Sequence, residues 1–101
     1  MSAKLSDPIT LAEPIRRGDE TIASVAVRKP DVGALRGMKM VELMRMDVAS
    51  YCQLLPRITV PSLLPDEIEA LDVADLVSLM KETSVFFISQ AEMEAIEAAG
   101  G

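Results

Sequence analysis

The chain reads as an α+β protein, mainly α, in which an N-terminal β-hairpin is followed by a compact set of short helices. Three observations predict this. Ile9, Leu11 and Ile15 share one strand parity and Thr21, Ala23, Val25 and Val27 share another, with Arg17-Gly18-Asp19-Glu20 as turn chemistry between them. From Met40 onward the apolar spacing becomes helical. Pro56, Pro61 and Pro65, together with Asp47 and Asp72 standing just before apolar runs, cut that helical material into short pieces.

The elements follow in order. Residues 1–8 mix polar groups with Pro8 and show little apolar periodicity, the pattern of a flexible arm. The hairpin occupies 9–28, with Gly18 free to take a positive φ and Pro14 suited to an edge strand. Arg17-Gly18-Asp19 also spells an integrin-recognition triplet, but a tripeptide recurs by chance and the turn explains it. A helical part spans 31–88, so that 9–88 forms a single domain. Asp31 starts a short helical turn that Gly37 ends. Met40 to Met46 opens the next element, with Val41, Leu43, Met44 and Val48 at neighbouring helical positions continued by Tyr51, Cys52 and Leu55. Pro56 and Pro61 bracket a segment that does not continue this helix. Pro65 fits the first turn of another short helix, anchored by Ile68 and Leu71. Asp72 caps a longer one, in which Val73, Leu76, Val77, Met80 and Phe87 fall near one face and Leu79 and Phe86 widen it. In the acidic tail, 89–101, Ser89 and Glu92 have capping-box spacing and allow a short helix before Gly100-Gly101.

Composition narrows the function classes. Half of the 101 residues are apolar, yet the aromatics are only Tyr51, Phe86 and Phe87, which predicts an aliphatic, methionine-rich core. The single cysteine, Cys52, allows neither an intramolecular disulfide nor a cysteine-based zinc site, and its apolar helical context reads as packing. The N-terminus has no apolar stretch of signal-peptide type, and no run approaches the ~18 apolar residues of a membrane span. A reduced, cytoplasmic setting without a membrane partner is the expectation.

Charge is polarised along the chain. Residues 1–57 carry nine Lys or Arg against seven Asp or Glu, whereas residues 58–101 carry Lys81 against nine acids. The acidic half opposes the phosphate neutralisation that duplex binding requires, so nucleic acid is not an expected partner. Arg28, Lys29, Arg36, Lys39 and Arg45 read either as a solvated face or as a surface for an acidic partner, including the acidic half of another copy.

An enzyme is not expected. Histidine is absent, which removes the commonest general base and metal ligand. Asp72 and Asp75 have the spacing of a cap plus a first-turn acid. Glu67, Glu69, Asp72 and Asp75 lack the glycine and ligand alternation of a calcium loop, and Gly33 and Gly37 lack the lysine of a phosphate loop. No cofactor or metal is implied.

A set of short motifs points further. Pro14-Ile15, Val27-Arg28-Lys29-Pro30, Gly33-Ala34-Leu35-Arg36-Gly37, Met46-Asp47-Val48, Leu54-Leu55-Pro56-Arg57-Ile58-Thr59, Pro61 and Leu71-Asp72-Val73-Ala74-Asp75-Leu76 occur in this order. In order and spacing the pattern, from Ile9 to Phe87, resembles the tail assembly chaperones of contractile-tailed, Mu-like and P2-like phages and prophages. Ala34 departs from it, since many relatives carry an acid there. The resemblance implies a chaperone in the host bacterial cytoplasm that binds the long helical tape-measure protein and keeps it soluble until tail-tube protein polymerises around it. It also implies a longer form of the chain made by translational frameshifting, and leaves a homo-oligomer open. Two other readings stand beside it, a structural tail component retained in the particle and an unrelated small oligomeric adaptor. The partner surface is expected to draw on Met38, Met40, Met44, Val60, Leu63, Leu64, Phe86 and Phe87, which are apolar and lie at segment edges or on the over-wide stripe.

Overall fold

A computed structural model of the chain describes residues 5–87. The hairpin is present, with β1 at Ile9–Arg17 and β2 at Glu20–Val27. Its two-residue loop, Gly18-Asp19, places Gly18 at φ +61°, the glycine-first chemistry of a tight hairpin turn. Helix α1 covers Met40–Met44 and α2 covers Val48–Ile58, and a two-residue strand, β3, follows at Thr59–Val60. Helices α3, Pro65–Glu69, and α4, Val73–Val85, complete the order. The sheet is antiparallel throughout, in the order β1-β2-β3, so β1 is an edge strand and Pro14 sits on it without breaking a central ladder. Leu5 and Ser6, in the stretch expected as an arm, extend the pairing: Leu5 bridges Arg28, and the Ser6 N–H donates to the Val27 carbonyl at 2.8 Å. The expected acidic tail, 89–101, lies outside the described residues.

The two halves of the hairpin do not keep one register. Ile9 faces Val25 and Thr10 faces Ser24, but Ile15 faces Ile22, so between these pairs β1 holds four residues and β2 one. The odd excess of three reverses side-chain parity on β2. Ile22 is therefore buried with Val25 and Val27, while Thr21 and Ala23 are exposed, correcting the uniform parity expected for this strand.

Local capping follows the sequence closely. Asp31 Oδ1 accepts from the Ala34 N–H at 2.8 Å, so the turn after Pro30 is capped from Asp31, and Gly37 ends it at φ +83°. Asp47 Oδ2 accepts from the Ser50 N–H at 2.9 Å and its hydroxyl at 2.8 Å, opening α2, and Asp72 Oδ2 accepts from the Ala74 N–H at 3.1 Å, opening α4. Between α1 and α2 the chain turns at Met46, φ +60°, which divides the expected continuous element in two.

Pro56 does not stop α2, contrary to expectation: the helix continues to Ile58. Proline near the last turn forfeits one helical hydrogen bond, whereas continuing the helix keeps Ile58 on the buried face with Leu54 and Leu55. The Thr59 N–H then closes the helix on the Leu55 carbonyl. The core lies where the sheet, α2 and α4 meet, and it is aliphatic around one fully buried aromatic, Tyr51. It is less methionine-rich than composition predicts. Met80 is buried, Met38 and Met46 pack at its margin, and Met40 and Met44 are exposed.

Helix α4 keeps most of its expected face against the core, with Leu76, Phe86 and Phe87 packed at the margin, but two members of that face point away. Leu79, Met80, Asp75 and Thr83 are buried, whereas Val73 is 73% exposed and Val77 is exposed beside it. A carboxylate and a hydroxyl thus occupy the inward stripe because each has a partner there. Thr83 Oγ1 donates to the Leu79 carbonyl at 2.8 Å, and Asp75 reaches the sheet.

Candidate functional site

Four of the eight expected contact residues are exposed in the structure: Met40, Met44, Val60 and Leu64. Met38, Phe86 and Phe87 are half-buried against the core. Leu63 is 2% exposed and belongs to the core, because its N–H donates to Thr59 Oγ1 at 3.0 Å and turns the side chain inward between Val60 and Leu64. It is withdrawn from the contact surface. The eight fall in three segments, and the segment around α1 carries the most exposed apolar surface.

That corner is built from the inside out. Only Leu43 of α1 is buried, and its carbonyl accepts from the Tyr51 hydroxyl at 3.1 Å, fastening the single turn to α2. With Leu43 inward, Met40, Val41 and Met44 face out, Met44 at 64% exposure, and Val48 continues the row on α2. Val41 and Val48 were absent from the expected surface, and the break at Met46 means that no single helical spacing links Val48 to Met40 and Met44. Lys39 and Arg45 flank the row and are exposed. Arg28 and Arg57, by contrast, serve the scaffold. Arg57 Nη1 donates to the Ala34 and Arg36 carbonyls at 2.8 and 3.1 Å, and Arg28 Nη2 donates to the Arg57 carbonyl at 2.7 Å.

A second region lies where β1 meets α3. Asp75, 3% exposed, accepts the Ala12 N–H at 2.7 Å and the Glu13 N–H at 3.1 Å, holding the irregular part of β1. Farther along β1, Arg17 Nε donates to Glu67 Oε2 at 3.0 Å and Nη2 pairs with Oε1, while Nη2 also reaches the Ser62 carbonyl at 2.9 Å. Glu67 Oε1 accepts from the Leu64 N–H at 2.8 Å, half of a capping box, since Leu64 has no side-chain oxygen to reciprocate. The Arg17 guanidinium, with the Leu64 amide, holds the Glu67 carboxyl at about 2, well below its usual 4.5. Arg17 is thereby tied into the scaffold, which accounts for the Arg17-Gly18-Asp19 triplet. Between these two clamps runs an open, mostly apolar groove of about 380 Å³, lined by Glu13, Pro14, Ile15 and Arg16 from β1 and by Asp66, Glu67, Ala70 and Leu71 from α3 and its end.

Three of the four acidic residues weighed for metal or acid–base chemistry are engaged separately, Asp72 in a cap, Asp75 on β1 and Glu67 on Arg17, and the fourth, Glu69, is exposed. Among the described residues no group of three or more His, Cys, Asp or Glu is placed to hold a metal ion. Burial, and then Glu69, pushes the Cys52 thiol above its ordinary range, which disfavours a thiolate. Among the described residues no helix is long and apolar enough to cross a membrane.

The described residues thus present exposed apolar side chains around α1 and an open groove beside β1, on a small α+β scaffold. Comparison with known proteins shows the family. Residues 8–88 match the family described as phage tail assembly chaperone proteins, E, or 41 or 14, and the chain belongs to this family. It is 39% identical over 71 residues to tail assembly protein E of Escherichia phage P2, covering 70% of this chain and 78% of that protein. It is 35% identical over 82 residues to tail assembly protein E′ of the same phage, covering 81% of this chain and 58% of that protein. No solved structure matches it.

Proposed function

We propose that this chain is the chaperone of a tape-measure protein, covering the apolar stripes of that long helical partner in the host bacterial cytoplasm until tail-tube protein replaces it. The observation that carries this reading, beyond family membership, is the exposed row Met40, Val41, Met44 and Val48. Methionine side chains are unbranched and adapt to irregular apolar partners, which suits repeated contacts along a helix better than one shaped pocket does. Val60, Leu64 and the half-buried Met38, Phe86 and Phe87 extend the contact as secondary positions. The working unit is the domain at 9–88. Two P2 relatives, of which this chain covers 78% and 58%, support a longer frameshifted product sharing this domain. The role requires no catalysis and no cofactor.

Co-expression with the tape-measure protein of the same phage or prophage tests the reading. Soluble tape-measure protein that co-purifies with this chain is the expected result. Insoluble partner, with this chain eluting alone and then found in finished particles, replaces the chaperone reading with a structural tail component.

A further inference from the structure

We propose that Met40 and Met44 form an oxidation-sensitive site, at which hydrogen peroxide converts the two thioethers to sulfoxides and turns the α1 corner from an apolar to a polar surface without unfolding the chain. The inference rests on the contact role proposed above for that corner, and adds a means by which the contact is switched off and restored.

Exposure selects the two sulfurs. The five methionines among the described residues are graded: Met44 and Met40 are exposed, Met38 and Met46 are half-buried at the core margin, and Met80 is 4% exposed within the core. Oxidation of a thioether follows its access to solvent and needs no prior loss of a proton, so the α1 pair reacts first. The single cysteine is a poor competitor. Cys52 is half-buried on α2, and burial, then Glu69, pushes its thiol up, away from the thiolate form that reacts with peroxide.

In the reaction, the sulfur lone pair attacks one peroxide oxygen, an S–O bond forms as the O–O bond breaks, and the second oxygen leaves as water with both protons. Sulfur gives up two electrons and the peroxide takes them. Position decides the consequence. Met40 and Met44 stand four residues apart on α1 and face outward with Val41, whereas Leu43 alone of that helix is buried. The sulfoxide oxygens therefore meet water in the free chain and cost the fold little. Against an apolar partner the same oxygens must be desolvated without a donor. The change is reversible, because methionine sulfoxide reductases restore the thioether.

The test treats the full chain with hydrogen peroxide, quenches with free methionine and maps sulfoxide by peptide mass spectrometry. Sulfoxide is expected at Met44 and Met40 before Met80, with an unchanged thermal melt and earlier elution from a hydrophobic-interaction column. Each sample is then mixed with tape-measure protein diluted from urea. The oxidised wild type is expected to need about tenfold more chain to hold that partner soluble, and reductase treatment to restore it. Met40→Leu/Met44→Leu, which keeps an apolar corner that peroxide cannot alter, is expected to lose nothing on the same treatment. Equal potency of the oxidised and reduced wild type overturns the proposal. An equal loss in the leucine variant overturns it too, and places the sensitive sulfur at Cys52 or another methionine. Sulfoxide at Met80 first, or a melt that falls as sulfoxide accumulates, does the same. If the reduced chain itself leaves the partner insoluble, the contact role falls, and the column then decides the inference: earlier elution of the oxidised wild type but not of the leucine variant supports it, and unchanged elution overturns it.

Discussion

The β1–α3–α4 junction and the α1 corner lie on one small scaffold but are built on opposite principles. At the junction, buried or half-buried carboxylates meet specific donors: Asp75 holds two amides of β1 and Glu67 holds Arg17 and the Leu64 amide. At the corner one leucine and one tyrosine hydroxyl fasten a single helical turn, and the remaining apolar side chains face outward. Directional bonds over long sequence separations specify one arrangement and tolerate little change. Non-directional apolar surface specifies little and accepts many partners. The contrast teaches that fold and function are carried by different residues here, and mutation can separate them.

The largest effect is expected at the junction. Asp75→Ala leaves the Ala12 and Glu13 amides without their acceptor at the point where β1 departs from regular pairing. A loss of about 3 kcal/mol is expected from urea denaturation, since hydrogen bonds to a charged acceptor are worth roughly twice neutral ones. Asp75→Asn, which keeps one acceptor oxygen, is expected to lose about half as much. A loss below about 0.5 kcal/mol in the alanine variant means that water satisfies both amides and the junction is no more exacting than the corner.

These same bonds explain what was legible in the sequence. Features governed by near neighbours were readable: the Gly18 turn, the caps at Asp31, Asp47 and Asp72, Pro65 in a first helical turn, and the hairpin-then-helices order. Features governed by distant partners were not. The parity switch on β2 follows from the bulge in β1, which Asp75 grips from more than sixty residues away. Asp75 itself read as a first-turn acid, because nothing local indicates that its carboxylate has a sheet to reach. The inward faces of α4 and of Leu63, and the strand β3, depend on the same long-range contacts. Pro56 misled for a related reason, in that local propensity marked a helix end that the burial of Ile58 overrides. On the candidate surface, Met40 and Met44 were expected as apolar residues at a segment edge and are exposed, whereas the division between exposed Leu64 and buried Leu63 was not foreseeable.

A smaller effect is expected at the side-chain hydrogen bond that ties α1 to α2. Tyr51→Phe removes the hydroxyl that donates to the Leu43 carbonyl and leaves that carbonyl with only its backbone donor, the Met46 N–H at 3.1 Å. About 1 kcal/mol of stability is expected to be lost. Hydrogen exchange should show the opening of α1 more strongly than that of α4. Equal loosening in both helices erases the proposed independence of the corner.

The ion pair at the junction is separable by pH. Glu67 titrates at about 2 when folded, against an ordinary 4.5, so its contribution is complete above about 4.5 and is lost as pH falls toward 2. Glu67→Gln removes that dependence while keeping the side chain's size. The stability difference between wild type and Glu67→Gln is therefore expected to be constant from neutral pH down to about 5 and to shrink below it. A difference that does not change on acidification shows that the Arg17 pair does not hold the carboxyl down in solution.

The smallest effect on stability is expected from the substitution with the greatest consequence for function. Met44 is 64% exposed and lies outside the hydrophobic core, so Met44→Glu is expected to change stability by no more than about 0.5 kcal/mol. In tape-measure co-expression the same variant is expected to lower the soluble yield, because a carboxylate placed on the apolar row must be desolvated against an apolar helix. Asp75→Asn supplies the opposite control, a less stable fold with an intact corner, expected to bind normally at temperatures below its melt. If the two variants reduce binding in proportion to their stabilities, the corner has no role of its own. If Met44→Glu abolishes binding while its melt is unchanged and Asp75→Asn binds normally, the junction maintains the fold and the corner makes the contact.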